Sequence, residues 1–310
     1  VVTSLGDLDN FYIKRSYVDK GTRYVYMCHH MTSMTVTSTR GEYTNYDAVM
    51  CVGPHQQKEL RALEKYYGTK EKATPAIGYD LLDREIADYA AMGRAPHARP
   101  EILIAPTWNY DNILDSCIDG MLVQLLGHGY HITVRPHPEY IKRYRAKLDA
   151  LMARYSEVGE DELTFECDFS GHSSILEADV LMTDWSSIAE EFSFTTLKPC
   201  LFVDTTMKEL NHDWREITDW VPSDVSLRNE IGVSLDPKAL DGLRAAVDDM
   251  VGNPGRWADR IESVRSQMIF NLGHGGEAAG EYLLGEVLAQ QERKRAANDT
   301  AKKGAARHAA

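Results

Sequence analysis

Residues able to do chemistry gather in three short segments of this 310-residue chain, each an apolar run that ends in polar or proline-rich sequence. The longest reads Val180-Leu181-Met182-Thr183-Asp184-Trp185-Ser186-Ser187-Ile188-Ala189-Glu190-Glu191-Phe192. A predicted strand ends there in Thr183 and Asp184, and two adjacent serines open a predicted helix with an acidic first turn. Such a helix start presents hydroxyls and unpaired backbone N–H groups, which is what a phosphate needs. The plainer reading is a helix cap made by Ser186 or Ser187.

The second segment is His131-Ile132-Thr133-Val134-Arg135-Pro136-His137-Pro138-Glu139. Its prolines stiffen the loop and hold Arg135 and His137 at the edge of the predicted sheet. A guanidinium and an imidazole at that edge can bind a diphosphate and steady charge building on a leaving group. The alternative leaves His137 as a helix-start residue and Arg135 in a surface ion pair. The third segment, Ile102-Leu103-Ile104-Ala105-Pro106-Thr107-Trp108-Asn109, offers the Thr107 hydroxyl to a phosphate and Trp108 as a wall, although a tryptophan there also serves packing.

The elements that must position these residues alternate. Strands are predicted at 102–105, 132–134, 163–165 and 180–182, with helices at 116–126, 139–152 and 175–177 between them. Repeated βα units with short connections imply a parallel, doubly wound sheet whose ligands collect at the strand carboxyl ends. Upstream, apolar runs at 24–28 and 48–52 are followed by helical patterns at 56–67 and from Asp80, a candidate cap, toward Met92. Gly53-Pro54-His55 reads as a turn, with His55 a minor site candidate. The segment 93–100, with one Gly and two Pro, is the expected domain linker. Expected units are therefore 1–95, 100–290 and a basic, flexible tail at 292–310. Val1–Leu5 resembles the end of a strand, and the missing initial Met suggests that the N-terminal unit is incomplete.

Composition narrows the function classes. Hydrophobic residues at 43% and charged residues at 26% suit a globular fold with a core. Lys and Arg total 34 against 47 for Asp and Glu, a net charge of -13, which argues against nucleic acid as a partner. The five cysteines are odd in number and dispersed, as expected of reduced core residues. No apolar run approaches the ~20 residues that span a bilayer, and no signal peptide is evident, so a cytosolic place is expected. The Lys/Arg-biased tail could meet anionic lipid, though a solvated tail explains it as well. Protein donors in the three segments can take the place of a metal at a diphosphate, so neither a metal nor a cofactor is expected.

Taken in order, Ala-Pro-Thr-Trp at 105–108, Arg-Pro-His-Pro at 135–138 and Thr-Asp-Trp-Ser-Ser at 183–187 resemble the signature of the CDP-glycerol glycerophosphotransferase family, whose last motif usually reads Thr-Asp-Tyr-Ser-Ser. The resemblance covers chiefly 102–203 and is weaker over 24–80. It implies a GT-B architecture, two Rossmann-like domains facing a cleft, with the second binding a CDP-activated polyol. It also implies a catalytic histidine on an N-terminal-domain loop. The family's Trp-His-Gly-Thr corresponds here to Tyr26-Met27-Cys28-His29-His30-Met31-Thr32, without the tryptophan or the glycine. His29 aligns with the family histidine, and His30 is the alternative.

By the same resemblance Ser173 and Ser174, in Gly171-His172-Ser173-Ser174, are expected at the nucleotide, and Glu190 is expected to accept from ribose hydroxyls. Asp184, Ser186 and Ser187 complete the substrate-binding set. The implied reaction is transfer of glycerol phosphate or ribitol phosphate to a hydroxyl of a polyol-phosphate, glycan or lipid-linked acceptor in wall- or capsule-polymer synthesis, with release of CMP. Such an acceptor could bring the enzyme to the inner face of the cell membrane. A GT-B nucleotide-sugar glycosyltransferase or epimerase, and a non-catalytic binding module of a larger synthase, are the alternatives.

Overall fold

The computed structural model describes residues 1–93, 97–168 and 173–308, with Ser173 and 297–308 described by backbone alone. Two parallel sheets organise it. The first has the order β1 (Val2–Thr3), β2 (Val25–Met27), β3 (Ala48–Met50), and parallel bridges from Ala48 to Ala73 and from Cys51 to Ala76 extend it. Helix α1 (Pro54–Tyr67) follows β3. It opens on a proline, whose missing N–H costs nothing in a first turn, and stops at Gly68 in the left-handed conformation. Helix α2 (Asp80–Ala91) starts one residue earlier than expected: Tyr79 holds the cap position, and Asp80, the expected cap, is the first helical residue.

The second sheet is built from β4 (Glu101–Ile104), α3 (Ile113–Ser116), α4 (Ile118–Leu125), β5 (His131–Val134), α5 (Pro138–Arg143), α6 (Arg145–Arg154), β6 (Leu163–Phe165), α7 (Ser173–Glu177), β7 (Val180–Thr183), α8 (Ile188–Thr196) and β8 (Cys200–Val203). Three short helices, α9 (Trp214–Ile217), α10 (Ser223–Ser226) and α11 (Arg228–Ile231), lead to β9 (Gly232–Leu235). The strand order is β6-β5-β4-β7-β8-β9, every pair parallel, with the direction of winding reversing between β4 and β7. That reversal opens a crevice beyond the strand carboxyl ends. Strands β4, β7 and β8 are almost wholly buried, as expected of a sheet covered on both faces.

Alternation placed these units but not their breaks. The helix expected at 116–126 is divided at Cys117, and the one at 139–152 is divided at Tyr144, because both residues leave helical dihedrals. Strands β8 and β9 carried no sequence expectation. Part of the expected linker, 94–96, lies outside the described residues. The five cysteines are free, and all but Cys167 are buried. No helix among the described residues is long and apolar enough to cross a membrane.

After α12 (Leu243–Gly252) and α13 (Pro254–Met268) the chain returns to the first sheet. Phe270 N–H donates to the Val52 carbonyl at 2.9 Å, and the two Asp83 carboxylate oxygens accept from Gly273 N–H and Gly275 N–H at 2.7 and 2.8 Å. Helix α14 (Gly275–His308) then lays Ala279, Tyr282 and Leu283 on Val25, Ala48, Met50 and Ile77. Residues 275–290, grouped by the sequence with the second unit, thus complete the core of the first. The same helix continues through the segment expected as a tail.

This return needs small residues opposite it. Gly78 has φ of +90°, and a Cβ there would lie 2.2 Å from the Phe270 carbonyl oxygen. Gly78→Ala should therefore lower unfolding free energy by about 1–3 kcal/mol, from overpacking and left-handed strain together. Urea denaturation checks this, and an unchanged midpoint would show that the 268–275 segment does not depend on that contact.

Candidate functional site

Between the two sheets lies a cleft of about 340 Å³. The loop after β2 brings His29 and His30 to one wall, and the loops after β4, β5 and β7 bring Thr107, His137, and Asp184, Ser186 and Ser187 to the other. Glu190, in the first turn of α8, also lines it. An adjoining pocket of about 310 Å³ sits over the carboxyl ends of β4 and β5. His137, Ser186 and Ser187 line both spaces, whereas Arg135 lines only the second. The three motifs therefore meet, and they meet across from the histidine loop.

Asp184 builds the meeting point. Oδ1 accepts from Thr107 N–H at 2.7 Å and from Trp185 N–H at 2.8 Å, while Oδ2 accepts from Ile113 N–H at 3.1 Å. Alongside, the Thr183 hydroxyl donates to the Ala105 carbonyl at 2.7 Å. The carboxylate expected to bind substrate instead fastens the loops after β4 and β7 to each other. Burial raises the Asp184 pKa, and the three backbone donors oppose that rise.

Arg135 also differs from its expected role. Its guanidinium is buried, ion-paired with Glu166, and donates to Ser174 Oγ at 3.0 Å, so its charge is already shared with a carboxylate. Ser174 accordingly supports Arg135. The Ser173 side chain, Gly171 and His172 lie outside the described residues. His137 caps α5, its Nδ1 accepting from Glu139 N–H at 3.1 Å. Its ring meets Trp108 at 6.3 Å between centroids. Desolvation lowers its pKa first, and Lys208 lowers it further. Ser187 caps α8 in position but makes no side-chain cap bond. Trp108 is partly buried against the core.

Besides Glu190, the cleft contains charged groups that the motifs did not announce, among them Lys208 and Arg228. Lys208, on the loop after β8, is a half-buried cation within it. Arg228 is buried against the rings of Trp185 and Phe202, at 4.1 and 4.4 Å, and donates to the Asp184 carbonyl and to Asp204 Oδ1, each at 2.6 Å. Glu190 is 5% exposed, and its Oε2 has no hydrogen-bond partner in the protein. Burial, followed by the nearby Asp224, pushes its carboxyl well above the usual range, which favours the neutral acid. Lys208 had a readable signal, a cation soon after an apolar run at 200–203. Arg228 and Asp224 come from short helices with no periodicity to read.

The histidine loop is tied down from both sides. Glu59 of α1 accepts through Oε2 from Ser33 Oγ at 2.8 Å, Met34 N–H at 2.5 Å and Thr35 N–H at 3.2 Å. From the opposite lobe, Asp224 Oδ2 accepts from Ser33 N–H at 2.7 Å. His29 is exposed to the cleft, with Nδ1 at 3.4 Å from the Tyr26 hydroxyl, and desolvation lowers its pKa. His30 is more enclosed. Its Nδ1 is 2.8 Å from Thr32 Oγ1, and burial pushes its pKa down to about 4. His55 turns away, Nε2 at 2.7 Å from the Met31 carbonyl. Of the paired histidines, His29 has the more accessible imidazole. Among the described residues no group of three or more His, Cys, Asp or Glu is arranged to hold a metal ion.

Asp184→Asn tests the fastening role. Whichever way the amide turns, its NH2 faces a backbone N–H, leaving a buried donor unpaired at a cost of about 1–3 kcal/mol. Chemical denaturation reads this directly, and a loss below roughly 0.5 kcal/mol, the scale of surface substitutions, would contradict it.

The family model for CDP-Glycerol:Poly(glycerophosphate) glycerophosphotransferase matches residues 20–229. No curated protein sequence matches the chain. Among solved structures, the wall teichoic acid polymerase TagF aligns with a TM-score of 0.52 at 13% identity, over 93% of this chain and 74% of that one. A histidine-to-asparagine variant of TagF aligns with a TM-score of 0.54 at 14% identity, over 88% and 70%. The same variant soaked with CDPG aligns with a TM-score of 0.52 at 16% identity, over 89% and 69%. Identities this low speak for fold alone, and the fold is α/β of the GT-B type. The family match spans well over half of the chain and includes all three cleft motifs, so the chain belongs to the CDP-glycerol:poly(glycerophosphate) glycerophosphotransferase family.

Proposed function

We propose that this chain transfers a polyol phosphate, glycerol phosphate or ribitol phosphate, from a CDP-linked donor to a hydroxyl acceptor in wall- or capsule-polymer synthesis, releasing CMP. The observation that carries the reading is the single cleft in which His29 faces His137, Ser186, Ser187 and Lys208 across the lobes. The pocket beside it, lined by the segments that follow β4, β5 and β7, suits the nucleoside, because ligands of open α/β sheets sit where strand order reverses, here between β4 and β7. A diphosphate reaching from that pocket into the cleft passes the three residues lining both, His137 and, at the start of α8, Ser186 and Ser187.

In this reading the acceptor oxygen attacks the β-phosphorus of the donor and its proton passes to His29 Nε2. The bond from β-phosphorus to the bridging oxygen breaks, and CMP leaves with that oxygen. Lys208 and His137 oppose the charge that grows on the leaving phosphate, a stabilisation strengthened by their partial burial. Thr107 hydrogen-bonds a phosphate oxygen, and Glu190, otherwise unpartnered at Oε2, serves a ribose or polyol hydroxyl. An acceptor carried on lipid would bring the enzyme to the inner face of the cell membrane, where Arg293, Lys294 and Arg295 of α14 suit anionic headgroups.

His29→Ala should reduce CMP release from CDP-glycerol by about 10²–10⁴-fold while leaving donor affinity unchanged. A base must be unprotonated, and desolvation holds the His29 pKa below its ordinary 6.5. The wild-type rate should therefore be level above neutrality and fall only as pH drops below about 6.5. Undiminished turnover by His29→Ala would remove the base assignment. Lys208→Met should weaken CDP-glycerol binding by roughly tenfold or more, the worth of one hydrogen bond to a charged group. Calorimetry with unchanged affinity would take Lys208 out of the diphosphate site.

A further inference from the structure

We infer that Tyr26 and Glu42 are positioning residues that hold His29 in one tautomer, Nδ1 protonated and Nε2 bare toward the cleft. The inference rests on the reading of His29 as the base.

The geometry is a short chain of hydrogen bonds. The Tyr26 hydroxyl donates to Glu42 Oε1 at 3.0 Å and lies 3.4 Å from His29 Nδ1. A phenol has one proton to give. With that proton on Glu42, the phenol oxygen is an acceptor toward His29, so Nδ1 must carry the hydrogen. Glu42 accepts at its other oxygen too, Oε2 receiving Thr39 N–H at 3.1 Å, and these two bonds favour its ionised, accepting form against the burial that raises its pKa. Tyr26 is fully buried, its ring edge-on to Tyr43 and Tyr46 at 5.0 and 5.3 Å, so the hydroxyl is held in place. On the other side the Tyr79 hydroxyl donates to the His29 carbonyl at 2.8 Å, and the His30 ring packs edge-on at 5.3 Å. Glu42 lines the cleft together with His29. The arrangement follows the general logic of a base oriented by a second group through its other ring nitrogen.

Substitutions separate this from simple packing. Tyr26→Phe keeps the ring and removes the lock. Glu42→Gln should reverse it: Thr39 N–H needs an acceptor, so the amide oxygen turns to Thr39 and the NH2 donates to Tyr26. The phenol must then donate to His29 Nδ1, which puts the imidazole proton on Nε2, facing the cleft as a donor.

The test is a long-range 15N–1H correlation spectrum of ring-labelled protein at about pH 8, where a histidine of ordinary or lowered pKa is neutral. Its His29 signals are assigned by loss in His29→Gln. Wild-type protein should show Nδ1 protonated, Tyr26→Phe a mixture, and Glu42→Gln protonation at Nε2. CMP release should fall in kcat by roughly tenfold or more in Tyr26→Phe, and further in Glu42→Gln, within the ~10²–10⁴ of a general base, with the donor KM unchanged. A wild-type spectrum with Nε2 protonated overturns the inference without need of any variant. So does a Glu42→Gln protein whose His29 tautomer is unmoved. If the tautomers switch as stated but His29→Ala keeps its turnover, the base assignment fails while the Tyr26–Glu42 lock stands as measured.

Discussion

One buried carboxylate accounts for the coincidence of the cleft motifs. Where the order of the second sheet reverses, the chain leaves β4 and β7 side by side in opposite directions of winding, and backbone N–H groups at both exits lose their ladder partners. Asp184 collects three of them, from Thr107, Ile113 and Trp185. A neutral side chain could not accept three donors through two oxygens as well. With the two exits fastened, Thr107 and the start of α8 share one wall of the cleft. Arg228 adds a second fastening, stacked on Trp185 and bonded to the Asp184 carbonyl.

Desolvation sets the protonation states around that wall. The cleft histidines have their pKa values lowered, and Glu190 and Asp224 have theirs raised, Asp224 to about 6. Each shift has burial as its first cause, so each group is moved toward its neutral form. Neutral imidazoles are available to take protons, and a neutral carboxyl can face hydroxyls without repelling an anion. Burial lowers the Lys208 pKa as well, and the nearby Asp184 and Asp224 work against that shift and favour its charged form. The formal charge of the chain, -13, is therefore a poor guide to the potential inside the site.

The two lobes are joined by polar contacts whose partners are far apart in sequence. Ser33 donates to Asp224 from its backbone, and its hydroxyl donates to Glu59. Further along, the 268–275 segment closes on Val52 and Asp83 before α14 completes the first core. The histidine loop is thus positioned from α1 and α10 together.

Much of this was legible in the chain itself. Strand-then-loop patterns located Thr107, His137, Ser186 and Ser187 on one sheet edge, because a parallel sheet sends all its carboxyl ends the same way. The resemblance of three ordered motifs indicated the family, which the match over 20–229 bears out. Periodicity could not foresee that Arg135 would be paired with Glu166 or that Asp184 would turn to the backbone, since a side chain's partner depends on what the fold brings beside it. Nor did it disclose Glu42, Lys208 or Arg228, or that α14 belongs to the first core. Local sequence determined which residues sit at strand ends and what chemistry they own. Tertiary structure alone decided which of those groups stay available to a ligand, because hydrogen bonding and burial are settled by neighbours distant in the chain.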